Sequence, residues 1–214
     1  MPSSLHVLPL LLISLLASAC AAAPTELGEQ PDASRQRDAP MPDAFGADAF
    51  QPPDAAAPMC PPTGPYGRRV GDIAPDVMLT DCDGVVHSLH ELCAKQVTWL
   101  FEFADWCPPC RTFAMSRAND IYDANVRDHG DAFAGWMVIS QTASFGEPTV
   151  DDCAMIRDRY GIHMPVLIDP SGALQTALGV APNEVNIVLT EGARLHWIGR
   201  FAGSEVSSRI TSAY

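Results

Sequence analysis

The chain has 214 residues and a net charge of −13, from 26 acidic and 13 basic side chains. Hydrophobic residues make up 47% of the chain and charged residues 18%, which excludes a wholly disordered or collagen-like protein. The acidic balance and the lack of a Lys/Arg cluster argue against a nucleic-acid partner.

The first residues have the features of an export signal. An apolar run over residues 7–17 is too short to span a bilayer, and it leads into Leu16-Ala17-Ser18-Ala19-Cys20. This ending resembles the lipobox of bacterial lipoproteins, which implies that Cys20 is lipidated and becomes the mature N-terminus. The same residues also fit ordinary signal-peptidase cleavage after an A-x-A site. We therefore predict a signal peptide over residues 1–19 and export from the cytoplasm.

Residues 20–59 are predicted to form a mobile linker. Prolines, alanines and aspartates dominate this stretch, and Pro-Asp-Ala occurs in it three times. Such a composition buries too little apolar surface to offset the entropy lost on ordering. We expect a tether between a lipid anchor at Cys20 and a folded domain over residues 60–214. The lipoprotein resemblance, with Ala21 after the cysteine, implies the periplasmic side of the outer membrane.

The folded part is predicted to alternate strands with helices and to end in an antiparallel hairpin. Turns at Asp83-Gly84 and Glu191-Gly192 each join two short strands. In chain order the predicted strands are 76–80, 85–88, 97–103, 133–140, 166–168, 185–190 and 194–198, and the predicted helices are 108–128, 149–160, 174–178 and 203–214. This order predicts an α/β fold with a mixed central sheet and helices on both faces.

The chemical signal is Trp106-Cys107-Pro108-Pro109-Cys110, which follows a predicted strand and opens a predicted helix. In that context C-x-x-C is typical of a redox motif, and no second Cys/His pair at ligand spacing points to a metal. Cys107 falls at the N-cap, where unpaired N–H groups and the helix dipole favour a thiolate. Cys110, one turn later, can resolve a mixed disulfide. Pro108 and Pro109 carry no N–H, which leaves the Cys110 N–H as the main donor to the thiolate.

The segment Phe103-Ala104-Asp105-Trp106-Cys107-Pro108-Pro109-Cys110 resembles the active site of thioredoxins, most of all the exported TlpA-like disulfide reductases. The resemblance extends over about residues 71–199 and includes the N-terminal hairpin and a strand-helix insertion at 160–180. It implies a thioredoxin fold and dithiol–disulfide exchange with protein substrates, without a bound cofactor. The nucleophile would be Cys107 and the resolving thiol Cys110, with Trp106 shielding them. The sequence does not identify the electron donor.

One departure from this family concerns the loop that faces the C-x-x-C. Thioredoxin-like proteins place a cis-proline just before the strand after the insertion, and aligning 185–189 with that strand puts Glu184 there. We expect a trans bond before Glu184 because a cis bond to a non-proline residue costs about 2.5–4 kcal/mol. A carboxylate at this place would raise the pKa of Cys107. A register slip would instead restore Pro182 as the loop proline.

A second departure concerns the buried acid that the family often has six residues before its first cysteine. Phe101 occupies that place, and Glu102 follows one residue later on the opposite face of the strand. Glu102 is either a proton acceptor for Cys110 or an edge or paired glutamate.

Four further cysteines are expected to form structural disulfides in an exported protein, namely Cys60, Cys82, Cys93 and Cys153. Four thiols allow three pairings. Cys82 and Cys93 flank the predicted hairpin and its following turn, so the expected pairing is Cys82–Cys93 with Cys60–Cys153.

Three function classes fit these residues. The first is a thiol–disulfide oxidoreductase of the cell envelope. The second is a thioredoxin-fold binding or metal-handling module with weak redox activity. The third is a peroxiredoxin-type peroxidase, but that family needs a Thr three residues before its reactive cysteine, and Ala104 stands there, with Leu100 replacing the upstream proline.

Overall fold

A seven-stranded mixed sheet forms the centre of residues 59–214, the part of the chain that the computed structural model describes. The predicted signal peptide, Cys20 and the predicted linker up to residue 58 lie outside the described residues. The strands are β1 (Met78–Asp81), β2 (Val86–Ser88), β3 (Val97–Ala104), β4 (Phe133–Gln141), β5 (Val166–Ile168), β6 (Val185–Thr190) and β7 (Arg194–Arg200). Their spatial order is β2-β1-β5-β4-β3-β6-β7, in which β3, β4 and β5 are parallel and the other pairs antiparallel.

The helices connect these strands across both faces of the sheet. They are α1 (Pro108–Phe113), α2 (Asn119–His129), α3 (Val150–Tyr160), α4 (Ala173–Leu178) and α5 (Val206–Thr211). A π-helical segment, Ala114–Ala118, joins α1 to α2, so the helix predicted over 108–128 is one continuous helical run. Within residues 59–214, none of the helices combines the length and hydropathy needed to span a bilayer.

Alternate residues of β3 contribute to two hydrophobic clusters, one on each face of the sheet. Trp99, Phe101 and Phe103 pack on one face with buried residues of α1, α2, α3 and α5. Leu100 packs on the other face with Leu174 and other residues of α4 and the flanking strands. All eight residues of β3 are buried because helices cover both faces, which explains its largely apolar sequence.

The predicted α/β class, mixed sheet, N-terminal hairpin and strand-helix insertion are confirmed, the insertion being β5 and α4. Local sequence signals account for several boundaries. Thr149 and Asp152 form a capping box at the start of α3, and Gly161 ends that helix in the left-handed conformation. Gly84 has a φ of 82° in the turn between β1 and β2, where a side chain would be strained.

The four additional cysteines form two disulfides, but the expected pairing is wrong. The bonds join Cys60 to Cys93 and Cys82 to Cys153, with Cα–Cα distances of 5.6 and 5.1 Å. Cys82 directly follows β1, which pairs with β2 on one side and with β5 on the other. The pairing with β5 brings the end of β1 close to α3, which carries Cys153. The partner of Cys82 is therefore determined by the order of the strands in the sheet, and not by the short sequence separation between Cys82 and Cys93.

Candidate active site

The Cys107–Cys110 pair lies where the central strand β3 ends and α1 begins. Cys107 is the N-cap residue of α1, with a φ of −87° and a ψ of 108°, and the two prolines occupy the first helical turn. The two cysteines are joined by a disulfide, with their Cα atoms 5.3 Å apart. The backbone N–H of Cys110 donates to the sulfur of Cys107 across 3.3 Å. The N-cap position, the prolines and this donor all agree with the sequence expectation.

The two cysteines are buried, whereas the two prolines between them are exposed. Cys107 is 1% exposed and Cys110 is 0% exposed, whereas Pro108 and Pro109 are exposed. The helix that begins here directs its positive dipole end and the Cys110 N–H at the Cys107 sulfur, which favours a thiolate after reduction. A disulfide partner must therefore reach Cys107 through the rim formed by neighbouring residues.

Trp106, the residue before Cys107, is partly buried against the hydrophobic cluster that contains both cysteines. Its indole N–H donates to the side-chain oxygen of Gln141, at the end of β4, across 2.8 Å. Its ring stacks on Phe145 with a centroid separation of 4.9 Å and an interplanar angle of 24°. The loop after β4 therefore holds the tryptophan beside the cysteine pair.

Glu184 lies immediately before β6, at the end of the sheet that carries the cysteines. β6 runs antiparallel to β3, with Val185 opposite Glu102, so the residue before β6 lies beside the last residues of β3. The Glu184 side chain is 4% exposed and accepts the backbone N–H of Gly203 across 3.1 Å. Burial raises the pKa of Glu184, and the Gly203 N–H opposes part of that rise.

The peptide bond before Glu184 is trans, as predicted. The cis bonds among the described residues precede Pro61 and Pro65, so Pro182 also follows a trans bond. Pro182 lies in the loop before β6 and not at the strand boundary. The opposition of Glu184 to Cys107 stays a prediction.

A buried polar chain continues from Glu184 into the core. Asn186, two residues along β6, has its amide nitrogen 3.5 Å from a Glu184 carboxylate oxygen and is fully buried. Its side-chain oxygen accepts the indole N–H of Trp99 in β3 across 3.0 Å. These contacts hold the Glu184 loop against the strand that carries the cysteine motif.

Glu102 lies on the opposite face of β3 from the cysteine pair, as its place in the strand predicted. Its side chain is completely buried, and neither carboxylate oxygen has a hydrogen-bond partner within the described residues. Burial raises the pKa of Glu102 to about 8, although the nearby side chains of Gln175 and Ser140 oppose the rise. The expectation of an edge or paired glutamate is wrong, because β3 is a central strand and the carboxyl has no hydrogen-bond or salt-bridge partner among residues 59–214. The role of Glu102 as a proton acceptor for Cys110 stays a prediction.

Sequence reasoning missed Asp105, which is 1% exposed and lies two residues before Cys107. Its carboxylate accepts the Tyr160 hydroxyl across 2.5 Å and a guanidinium N–H of Arg159 across 3.2 Å. Both partners lie at the end of α3, more than 50 residues away. Asp105 therefore fixes the turn that leads into the motif, and its place beside Trp106 was the only signal in the sequence.

Comparisons with known proteins agree with this geometry. Residues 70–198 match a family model described as the AhpC/TSA family. Over 145 residues the chain is 26% identical to the thiol-disulfide oxidoreductase ResA of Geobacillus thermodenitrificans, covering 67% of this chain and 77% of that protein.

Solved structures share the fold at lower sequence identity. A putative protein disulfide isomerase from Bacteroides thetaiotaomicron superposes with a TM-score of 0.56 at 23% identity, covering 69% of this chain and 89% of that chain. A putative thiol:disulfide interchange protein DsbE from Chlorobium tepidum superposes with a TM-score of 0.54 at 21% identity, covering 69% of this chain and 99% of that chain. These similarities support the predicted thioredoxin-like fold.

Proposed function

Because the chain belongs to the AhpC/TSA family and carries a cysteine pair at the start of α1, we propose that it exchanges disulfides with protein substrates in the bacterial cell envelope. It is a thiol–disulfide oxidoreductase of the thioredoxin-like type, the class in which its relative ResA is named. The proposal assigns the chemistry to Cys107 and Cys110.

The observation that carries this proposal is the contact of the Cys110 N–H with the Cys107 sulfur at the N-cap of α1. In the reduced protein, the Cys107 thiolate would attack one sulfur of a client disulfide, forming a mixed disulfide and releasing one client thiolate. The Cys110 thiolate would then attack the Cys107 sulfur, releasing the second client thiolate and closing the Cys107–Cys110 disulfide. The client gains two electrons, the pair loses two, and an external dithiol donor would restore them. The reverse sequence would oxidise a client dithiol.

Peroxide reduction is the less suitable chemistry for this site. Ala104, the last residue of β3, stands three residues before Cys107 and supplies no hydroxyl to hold or polarise a peroxide. Disulfide exchange needs only the two sulfurs and a stabilised leaving thiolate, which the Cys110 N–H and the helix dipole can provide.

The envelope location and the lipid anchor rest on the sequence of the first 20 residues. Fractionation of cells that express the full chain tests them. The wild type should sediment with membranes, and Cys20→Ala should move the protein into the soluble envelope fraction. A wild type that is already soluble would contradict lipidation.

The exchange activity is tested by reduction of insulin with dithiothreitol as the electron source. The wild type should accelerate the reduction, Cys107→Ser should abolish the acceleration, and Cys110→Ser should accumulate a mixed disulfide with the client. The matched control replaces Cys60 and Cys93 with Ser, which removes a disulfide remote from the motif. A wild type no faster than dithiothreitol alone would favour the binding-module alternative, and turnover of hydrogen peroxide would favour the peroxidase.

A further inference from the structure

Two exposed phenylalanines flank the cysteine motif, one on each side of β3. Phe145 lies in the loop after β4 and Phe201 follows the end of β7. β4 neighbours β3 on one side, and β6 with β7 lies on the other. The C-terminal ends of β3, β4 and β7 all lie at the end of the sheet that carries Cys107.

Each phenylalanine contacts a residue described above, either Trp106 or Glu184. The Phe145 ring stacks on Trp106, next to Cys107 in the chain. The backbone N–H of Phe201 donates to the carbonyl oxygen of Glu184 across 3.0 Å. Both phenylalanines therefore lie at the end of the sheet that carries Cys107, which is itself only 1% exposed.

Neither phenylalanine stabilises the fold in the usual way. Phe145 is 66% exposed and Phe201 is 49% exposed, so neither residue is buried in the core. Both have a left-handed backbone, with φ values of 65° and 51°, a conformation that is unfavourable for a bulky side chain. Eight of the described positions with positive φ are glycine, which adopts this conformation without strain. Two exposed aromatic residues with an unfavourable backbone conformation, both at the end of the sheet that carries Cys107, are candidates for contact with another molecule.

We infer that Phe145 and Phe201 determine substrate specificity, by holding client segments that carry bulky apolar or aromatic side chains on both sides of the reacting cysteine. This inference rests on the proposed function, because it supposes that a client disulfide reaches Cys107. Aromatic side chains of the client would stack on the Phe145–Trp106 pair on one side and pack on Phe201 on the other.

The charges near Phe201 favour a neutral client side chain over a basic one. The guanidinium of Arg200 lies 4.7 Å from the centroid of the Phe201 ring and already occupies one face of it. A second cation on that ring would be repelled by Arg200, whereas an aromatic or aliphatic group would not.

The test measures the rate at which reduced full-length protein reacts with a series of disulfides. The probes are symmetric disulfides of short peptides in which the cysteine is flanked by Phe, by Gly or by Arg, and hydroxyethyl disulfide, which has no flanking residues. We expect the Phe-flanked peptide to react faster than the Gly-flanked peptide by about 2- to 10-fold for each ring engaged. The Phe145→Ala, Phe201→Ala double variant should lose most of this preference when each peptide rate is divided by the same protein's rate with hydroxyethyl disulfide.

Two further variants make the result specific to the aromatic rings. Phe145→Tyr with Phe201→Tyr should retain the preference. Val86→Ala, which removes an apolar side chain of similar exposure on the remote strand β2, should leave every rate unchanged. Thermal unfolding of each variant should remain cooperative.

The inference is overturned if the wild type shows no preference for the Phe-flanked peptide, prefers the Arg-flanked one, or keeps its preference after both alanine substitutions. A wild type inert toward hydroxyethyl disulfide would overturn the proposed function itself, and the inference with it. Normal reaction with that small disulfide, without selectivity among the peptides, would remove the inference alone.

Discussion

The carboxylate of Glu184 accepts the backbone N–H of Gly203 across 3.1 Å, which ties the loop before β6 to the loop after β7. This contact holds a buried acid at the end of the sheet where Cys107 caps α1. The sequence alignment predicts that Glu184 faces Cys107, where an ionised carboxylate would oppose the effect of the helix dipole on the thiolate.

Replacing Glu184 with Gln should lower the pKa of Cys107. The amide keeps an oxygen that can accept the Gly203 N–H but carries no charge, so the thiolate gains stability. We expect alkylation of the reduced protein by iodoacetamide near neutral pH to quicken by a factor of about 3 to 10. Because burial raises the pKa of Glu184, the difference from wild type should grow as the pH rises through that raised pKa.

The control for this comparison is Glu191→Gln, which removes an acid at the opposite end of β6. Its alkylation profile should match that of the wild type. An unchanged profile for Glu184→Gln would contradict the placement of Glu184 opposite Cys107 and would make Pro182 the candidate loop residue.

Glu102 should make the folded protein less stable as the pH rises. Its folded pKa of about 8 exceeds the ordinary glutamate pKa of 4.5, so between these values the folded state holds a proton that the unfolded state has lost. The free energy of unfolding attributable to Glu102 should therefore fall with rising pH, by about 3 kcal/mol between pH 4.5 and pH 7. Urea unfolding of the oxidised protein at several pH values should show this decline, and Glu102→Gln should flatten it. Parallel pH dependences in the two proteins would show that Glu102 ionises normally.

Loss of either structural disulfide should destabilise the protein without abolishing exchange. The Cys82–Cys153 bond spans 71 residues and the Cys60–Cys93 bond spans 33, so chain entropy predicts the larger cost for the first. We expect each Cys→Ala pair to lower the free energy of unfolding by about 2–5 kcal/mol. Insulin reduction at a temperature where the variants remain folded should match the wild type. Complete loss of reduction in a folded variant would indicate a redox role for that bond.

Tyr160→Phe should loosen the turn before the cysteine motif. The substitution removes the hydroxyl that donates to buried Asp105 and leaves the exposed Arg159 as its other partner. We expect a loss of about 1–3 kcal/mol in the free energy of unfolding. Because Asp105 positions the turn, the insulin reduction rate should fall while the pH profile of Cys107 alkylation keeps its shape. Tyr122→Phe, whose hydroxyl does not bond Asp105, is the matched control, and an equal loss in both variants would contradict the specific role of the Tyr160–Asp105 contact.

The sequence by itself determined the features that depend on neighbouring residues. The run from Val97 to Cys110 contains a β-rich strand, a short turn, an N-cap cysteine and two prolines in order, so the place of the cysteine pair needed no long-range information. The Asp83-Gly84 turn predicted the hairpin of β1 and β2 for the same reason. Local backbone preferences and hydrophobic periodicity are properties of short segments, and in these segments both signals are strong.

Only the tertiary structure decided which distant residues meet. The order of strands pairs β1 with β5, and that pairing, not the nearness of Cys82 to Cys93 in the chain, selects Cys153 as the partner of Cys82. The central place of β3 in the sheet makes Glu102 a buried acid without a hydrogen-bond partner among residues 59–214, and not an edge or paired glutamate. Phe145 and Phe201 lie at one end of the sheet because β4 and β7 both run in the same direction as β3, with β6 between β3 and β7. Such contacts join residues from separate elements, and their geometry is set by packing of the whole sheet, which no short segment encodes.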